Sequence, residues 1–174
     1  FPDTYLVNRD ESTYNIAQIM LQRFETVFAP YYAKFLEANI KNDTAVRLAS
    51  IVQREAAGKE DMPLVAGVAW NRLLSGIKLE MDSTVQYARG NKGQGYWAPI
   101  TAADIREIDS PYNTYKVEGL PPHAICNPGL DAIDAVLNPE KTDCLFFLHD
   151  NEKQIHCAVT REEHEANIEK YLRK

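Results

Sequence analysis

The chain has 174 residues, enough for one domain with a substantial core, and its 45% hydrophobic and 25% charged composition is that of a globular protein. The net charge is −6, and this acidic balance argues against a nucleic-acid binder, which normally shows a basic face. No apolar run reaches the roughly 18 residues of a transmembrane helix, so the sequence predicts no membrane span within it.

The first half of the chain predicts helices. Apolar side chains recur at helical spacing behind a Ser or Thr cap at residue 12 or 13, and Pro30 is expected to end the first helix. Cap residues at 42–44 and at Asp61 begin two later helices, and Gly58 and Gly76 are expected to end them. The predicted helices are residues 12–28, 31–40, 42–58 and 61–75.

The second half predicts a mixture of short elements. Residues 77–88 are predicted to be extended, and the Gly-rich, aromatic residues 89–99 a flexible loop. Residues 109–129 hold much of the proline and predict a long loop, a feature that is often functional. Two apolar segments around residues 150–152 predict a β-hairpin, and Thr160 with Glu163 predicts a capping box. Short helices are also predicted near 101–107 and at 129–137, and a final helix at 160–173.

These elements predict the fold class α+β, with the helices first and the sheet late. We expect a single helix-rich domain that covers residues 1–174, with a small, mostly antiparallel sheet and the Pro-rich loop at a cleft.

Glu55 stands out in the segment LASIVQREAAG, residues 48–58. On a helical wheel of about 100° per residue it lies roughly 80° from the centre of the apolar stripe, which contains Ala45, Leu48, Ala49, Val52 and Ala56. A carboxyl group at this boundary is partly desolvated, which raises its pKa and suits a general acid. From the wheel alone, the more common interpretation is that Glu55 lies on the solvated flank of an amphipathic helix.

Other polar residues are weaker candidates by themselves. Asp82, Ser83 and Thr84 follow one another and would ordinarily cap a turn. Asn113, Thr114 and Tyr115 offer hydrogen-bonding groups and an aromatic ring to a sugar, or merely stabilise their loop.

Metal binding is not predicted, because neither histidine nor cysteine shows ligand spacing. The four histidines are scattered, at 123, 149, 156 and 164. We expect the three cysteines, Cys126, Cys144 and Cys157, to be reduced and mostly buried, and one disulfide with a free thiol is the alternative. No cofactor motif occurs, so no cofactor is expected.

Several motifs, in order along nearly the whole chain, resemble the catalytic domain of the endolytic murein transglycosylases, the MltG/YceG-like family. Each is weak alone, but their combined order and spacing are specific. They are FPDTY (1–5), LASIVQRE (48–55), PLVAGVAWNRL (63–73), LEMDSTVQYA (79–88), DSPYNTY (109–115), GLPPHAICNPGL (119–130), NPEKTDCLFF (138–147) and EEH (162–164).

The resemblance implies a bacterial cell-envelope enzyme. Such enzymes cut nascent peptidoglycan glycan strands internally, between N-acetylmuramic acid and N-acetylglucosamine, and leave 1,6-anhydromuramic ends. Family members usually carry an N-terminal membrane helix and a LysM-like region. The sequence starts FPDTY without Met, so we expect it to be part of a longer protein. That protein is expected to be a single-pass protein of the bacterial cell membrane, with this domain on the extracytoplasmic side and peptidoglycan synthases as possible partners.

The resemblance also assigns site residues. The family's catalytic glutamate lies in a motif with two glutamates; the first corresponds to Gln53 here and the second to Glu55. Either the first glutamate is dispensable or this protein is impaired, and the helical wheel favours Glu55. Further departures are Ser83, where the family commonly has proline, His123, where it has glycine, and Cys157-Ala158, where it has an aromatic residue and serine. We take Glu55 as catalytic, and the substrate-binding candidates are Asn71, Asp82, Ser83, Thr84, Gln86, Asn113, Thr114 and Tyr115.

Two other functions compete with this interpretation. A lysozyme-like hydrolase would pair Glu55 with Asp82 as a second carboxylate. A non-catalytic glycan-binding scaffold would keep the cleft without turnover, and Gln53 is the feature that favours it.

Overall fold

The computed structural model describes residues 1–93 and 95–173. Its elements are α1 (Thr13–Glu37), α2 (Asn42–Glu55), α3 (Met62–Leu74), α4 (Asp82–Arg89), α5 (Ala102–Glu107), α6 (Leu130–Leu137), β1 (Phe146–His149), β2 (Ile155–Ala158) and α7 (Arg161–Tyr171). The α+β class with a small antiparallel sheet is confirmed. No helix within the described ranges combines the length and the apolar character needed to cross a bilayer.

Helix α1 is continuous through Pro30, so the predicted break at this residue is wrong. A proline inside a helix costs about 3 kcal/mol, because it removes one backbone donor and crowds the preceding turn. Here Phe28 and Phe35, on either side of Pro30, are fully buried, with ring centroids 5.9 Å apart. Burial of these aromatic rings offsets the cost. Ser12 caps the helix by accepting the Asn15 N–H at 3.1 Å, as predicted.

Helices α2, α3 and α6 surround the centre of the core. The apolar face predicted for α2 is confirmed, since Ala45, Leu48, Ala49 and Val52 are buried. The predicted C-terminus at Gly58 is wrong, because α2 ends at Glu55. In the turn after α2, the backbone N–H groups of Ala57 and Gly58 donate to the carboxylate of Asp61, each at 3.0 Å.

Residues 82–88 are helical, so the prediction of an extended segment over 77–88 is wrong for its second half. A helix of two turns is too short to reveal its period in the sequence. Its buried residues decide the conformation: the Thr84 hydroxyl donates to the Met81 carbonyl at 2.6 Å and lies 2.8 Å from the Thr114 hydroxyl. Gly90, with φ +66°, ends α4 in a conformation that disfavours other residues.

The predicted hairpin is confirmed, with β1 and β2 antiparallel and Phe146 opposite Ala158. Helix α7 packs on both strands, and its Thr160–Glu163 capping box is present as predicted. Residues 108–129 form neither a helix nor a strand. The loop's place at a substrate cleft stays a prediction.

Cys144 and Cys157 form a disulfide across the base of the hairpin, with Cα atoms 5.9 Å apart, and Cys126 is free. The expectation of three reduced cysteines is therefore wrong, and the alternative of one disulfide and one thiol holds. Pairing depends on the hairpin register, which brings together two residues that are 13 positions apart.

Candidate active site

A cavity of about 510 Å³ lies between the C-terminus of α2, α3, the segment that enters α4, β1 and the first turns of α7. It combines apolar walls with charged side chains. The lining residues that carry ionisable groups are Glu55, Arg72, Glu80, Asp82, Tyr115, His149, Arg161 and His164.

Glu55 is the last residue of α2 and is partly buried in this cavity. Its Oε1 accepts a hydrogen bond from the backbone N–H of Ser83 at 2.9 Å. Burial raises the pKa of the Glu55 carboxyl above its ordinary value; Asp82 adds to the increase, and hydrogen bonding by Ser83 and the nearby His149 oppose it. The group is therefore a carboxylic acid that stays protonated at higher pH than an exposed glutamate does.

Asp82 and Tyr115 form a second feature of the cavity wall. The Tyr115 hydroxyl donates to Asp82 Oδ1 at 2.6 Å, and this bond joins α4 to the Pro-rich segment. Burial and the Asp82 carboxylate raise the pKa of Tyr115, so its hydroxyl remains a hydrogen-bond donor. Asp82 itself is exposed and keeps its other oxygen available to a ligand.

The basic side of the cavity was missed by the sequence analysis. Arg72 is only 4% exposed; its guanidinium pairs with Glu80 at 2.5 Å and donates to the Leu145 carbonyl at 2.8 Å. Its position four residues after Val68, on the buried face of α3, is the signal that could have identified it.

His149 was missed as well. Its Nε2 lies 2.6 Å from Asp61 Oδ2, so β1 is joined to the turn that follows Glu55. Spacing could not reveal this pair, because the two residues are 88 positions apart.

Four predicted substrate-binding residues support the scaffold around the cavity. Thr84 and Thr114 are fully buried and bond to each other. The buried Asn113 donates its amide to the carbonyls of Ile105 (3.0 Å) and Ile108 (2.9 Å). Gln86 donates to two loop carbonyls, at 3.2 and 3.3 Å. In this arrangement they position their neighbours rather than offer groups to a sugar.

Asn71 does not line the cavity that contains Glu55. Its amide donates to the carbonyls of Thr142 (2.7 Å) and Cys144 (3.0 Å), and the residue lines another groove, of about 940 Å³. That groove is larger, but its carboxylates, Glu140 and Asp143, are exposed to solvent. Nothing there desolvates an acid, so the smaller cavity around Glu55 is the better candidate site.

Gln53 and Glu55 face different surroundings, as the helical wheel predicts. The Gln53 Oε1 accepts the N–H of Gly129, the residue that precedes α6, at 2.9 Å. Within the described ranges, no three His, Cys, Asp or Glu side chains are grouped closely enough to hold a metal ion.

A family model described as "YceG-like family" matches residues 1–170. The chain belongs to the YceG-like family. A curated relative from Bacillus subtilis (strain 168), named "Endolytic murein transglycosylase", is 35% identical over 99% of this chain. One with the same name from Streptococcus pneumoniae serotype 2 (strain D39) is 34% identical over 99%.

These matches cover only part of the relatives. The chain spans 47% of the Bacillus protein and 31% of the pneumococcal one. A crystal structure titled as a putative yceG-like protein from Listeria monocytogenes superposes with a TM-score of 0.88 at 34% identity, covering 95% of this chain and 53% of that one. The YceG-like fold therefore accounts for nearly all of the described chain.

Proposed function

We propose that this YceG-like domain is an endolytic peptidoglycan lytic transglycosylase. It cleaves the bond between N-acetylmuramic acid and N-acetylglucosamine within a glycan strand and leaves a 1,6-anhydromuramic end. The observation that carries the proposal is the Glu55 carboxyl group: burial raises its pKa, and it lies in a cavity that an oligosaccharide could enter. The names of the relatives agree with this substrate.

In the proposed reaction Glu55 acts first as an acid and then as a base. The protonated carboxyl donates its proton to the glycosidic oxygen as the bond to C1 breaks, through an oxocarbenium-like transition state. The Glu55 carboxylate then takes the proton from the muramic acid 6-hydroxyl, whose oxygen closes on C1. No water is consumed, and Glu55 ends the cycle protonated.

Asp82 and Tyr115 are proposed to hold the sugar and to stabilise the positive charge that develops in the transition state. The exposed Asp82 carboxylate lines the same cavity as Glu55, and the hydrogen bond from Tyr115 fixes its orientation. A fixed carboxylate favours an oxocarbenium ion more than the neutral ground state.

Mass analysis of products from purified glycan strands tests the proposal. We expect anhydro ends, lighter by one water than hydrolysed ends, and internal cuts early in the digest. Glu55→Gln should lower kcat by at least about 100-fold, because the amide cannot give and regain a proton. Glu60→Gln, a nearby exposed change, is the matched control. A Glu55→Gln protein that is folded and fully active would contradict the assignment.

A hydrolase is the second candidate, because Asp82 lines the same cavity as Glu55. In that enzyme Asp82 would act as the second carboxylate and water would open the bond. A hydrated reducing end from the wild-type protein would select this reaction. Under the transglycosylase proposal, Asp82→Asn slows the reaction and leaves the product unchanged.

We further propose that the domain works outside the cytoplasm, attached to the cell membrane through another part of the protein. The Cys144–Cys157 disulfide supports the location, since disulfides persist in oxidising compartments. Alkylation of the protein in intact cells, followed by mass analysis, should find these two cysteines protected and Cys126 reduced. Alkylation of all three would contradict the proposed location.

A further inference from the structure

The backbone N–H of Ser83 is the group that bonds directly to the candidate acid. It lies 2.9 Å from Glu55 Oε1, and Ser83 is 2% exposed. Ser83 is the second residue of α4, and N–H groups in the first turn of a helix have no acceptor within the helix. The N-terminus of α4 therefore presents a free donor to the C-terminal residue of α2.

We propose that Ser83 is a positioning residue for Glu55, whose backbone N–H orients the carboxyl group and favours its ionised form. This inference rests on the proposed function, because it concerns the acid of that reaction. It assigns the role to the main chain rather than to the serine hydroxyl. The Ser83 Oγ is buried and makes no hydrogen bond to any described residue.

The physical reason is that an N–H donor stabilises a carboxylate more than the neutral acid. Burial opposes ionisation of Glu55, and hydrogen bonding by Ser83 partly offsets that effect. The N–H is the Ser83 group that has hydrogen-bond geometry to the carboxyl, whereas the hydroxyl makes no such bond. An acid that must give a proton and then take one back needs both forms to be accessible near the working pH. The hydrogen bond keeps the carboxylate form accessible in a buried site.

The other ionisable groups around Glu55 belong to residues other than Ser83. Asp82 raises the Glu55 pKa and His149 lowers it. The titratable and charged groups that share the cavity from the surrounding elements are Arg72, Glu80, Asp82, Tyr115, His149, Arg161 and His164. A change in the Glu55 titration that Ser83→Pro produces and Ser83→Ala does not is therefore assigned to the Ser83 N–H.

Two variants separate the main chain from the side chain. Ser83→Pro removes the N–H, and Ser83→Ala removes only the hydroxyl. Proline is tolerated in the first turn of a helix, and α3 already carries Pro63 as its second residue. We expect Ser83→Pro to raise the pKa of Glu55 by about one unit. Carbon NMR of the Glu55 carboxyl group measures this pKa. The high-pH limb of the kcat/KM profile should move to higher pH by the same amount. Ser83→Ala should change neither the Glu55 pKa nor the position of this limb.

A direct measurement does not depend on the folding of Ser83→Pro. In the wild-type protein the Ser83 amide proton should shift as Glu55 ionises, with the same midpoint, and Glu55→Gln should abolish this titration. A Ser83 amide that does not titrate with Glu55, or a folded Ser83→Pro with an unchanged Glu55 pKa, overturns the inference. If the Ser83 amide titrates with Glu55 but the protein does not cut glycan, the positioning role is supported and only the proposed function is rejected.

Discussion

At the residue scale, the Glu55 carboxyl is subject to opposing influences. Burial disfavours its charge, and hydrogen bonding by Ser83 and the nearby His149 favour it. Burial prevails, so the pKa in the folded protein is above the ordinary value, and the ionised group lowers stability. A residue that lowers stability in its charged form is common where chemistry requires a shifted pKa.

The first prediction follows from this sign. Above the unfolded-state pKa of about 4.3, folding opposes ionisation of Glu55, and Glu55→Gln removes that penalty. We expect the variant's free energy of unfolding to equal or exceed that of the wild type at pH 7 to 8. The difference should shrink below about pH 4, where both side chains are neutral. Urea unfolding at several pH values measures it, with Glu60→Gln as the exposed control. Marked destabilisation at pH 8 would mean that the carboxylate stabilises the fold.

The second prediction concerns Gln53. Residues 53 and 55 point roughly 160° apart on α2, and Gln53 bonds to the N–H of Gly129 instead of facing the cavity. A glutamate can accept the same bond at the N-terminus of α6, where negative charge is favourable. Gln53→Glu should therefore leave kcat within about threefold of the wild type, far from the loss expected for Glu55→Gln. A large gain in activity would indicate that the natural protein is an impaired enzyme.

At the scale of elements, the hairpin forms one wall of the cavity and depends on contacts to α3. The carbonyl of Leu145 accepts from Arg72, and that of Cys144 accepts from Asn71. The disulfide joins Cys144, at this contact, to β2. The hairpin therefore carries His149 and Phe147 to the cavity at a position that α3 and the disulfide both fix.

The third prediction tests that connection. Opening the disulfide frees a loop of about 13 residues in the unfolded chain, which costs about 3 kcal/mol of stability in the chain-entropy account. Replacing Cys144 and Cys157 together by serine should lower the unfolding free energy by about that amount. Dithiothreitol should lower the melting temperature of the wild type and of Cys126→Ser, but not that of the double variant. Equal stability of reduced and oxidised wild type would show that the disulfide contributes little.

At the scale of the whole molecule, several aspartates join different segments of the chain. Burial alone would raise the pKa of Asp61, but hydrogen bonds from Ala57, His149 and Gly58 outweigh it and lower the pKa. Hydrogen bonds from Thr101 and Arg89 lower the pKa of Asp104, and the bond from His156 lowers that of Asp150. These groups connect the turn between α2 and α3 to the hairpin, α4 to α5, and the hairpin turn to β2.

The fourth prediction is the resulting acid dependence. A carboxyl whose folded pKa is lowered contributes stability above its unfolded pKa of about 3.9, and loses it as the pH falls through the folded value. The unfolding free energy should therefore fall steeply below about pH 4. Asp61→Asn should be less stable than the wild type at pH 7, and the gap should narrow at pH 3. Urea titrations at the two pH values measure it. If the difference in unfolding free energy does not change with pH, the charge of Asp61 does not account for its contribution to stability.

The sequence determined the features that depend on neighbours along the chain. The buried face of α2, the capping box at Thr160 and the hairpin around residues 150–152 were predicted because local spacing and turn chemistry specify them. The boundary position of Glu55 was visible for the same reason. The order of motifs along the chain identified the family, which the comparison confirms.

Only the tertiary structure decided the rest. Helix α1 passes through Pro30 because aromatic rings on both sides are buried in the core, and α4 is a helix because Thr84 meets Thr114. The cysteine pairing, the Asp61–His149 contact and the scaffold role of Asn71 depend on residues 13, 88 and more than 70 positions apart. Such contacts form only when the chain packs, because no local pattern fixes which distant groups meet. The surroundings that raise the pKa of Glu55 are of this kind.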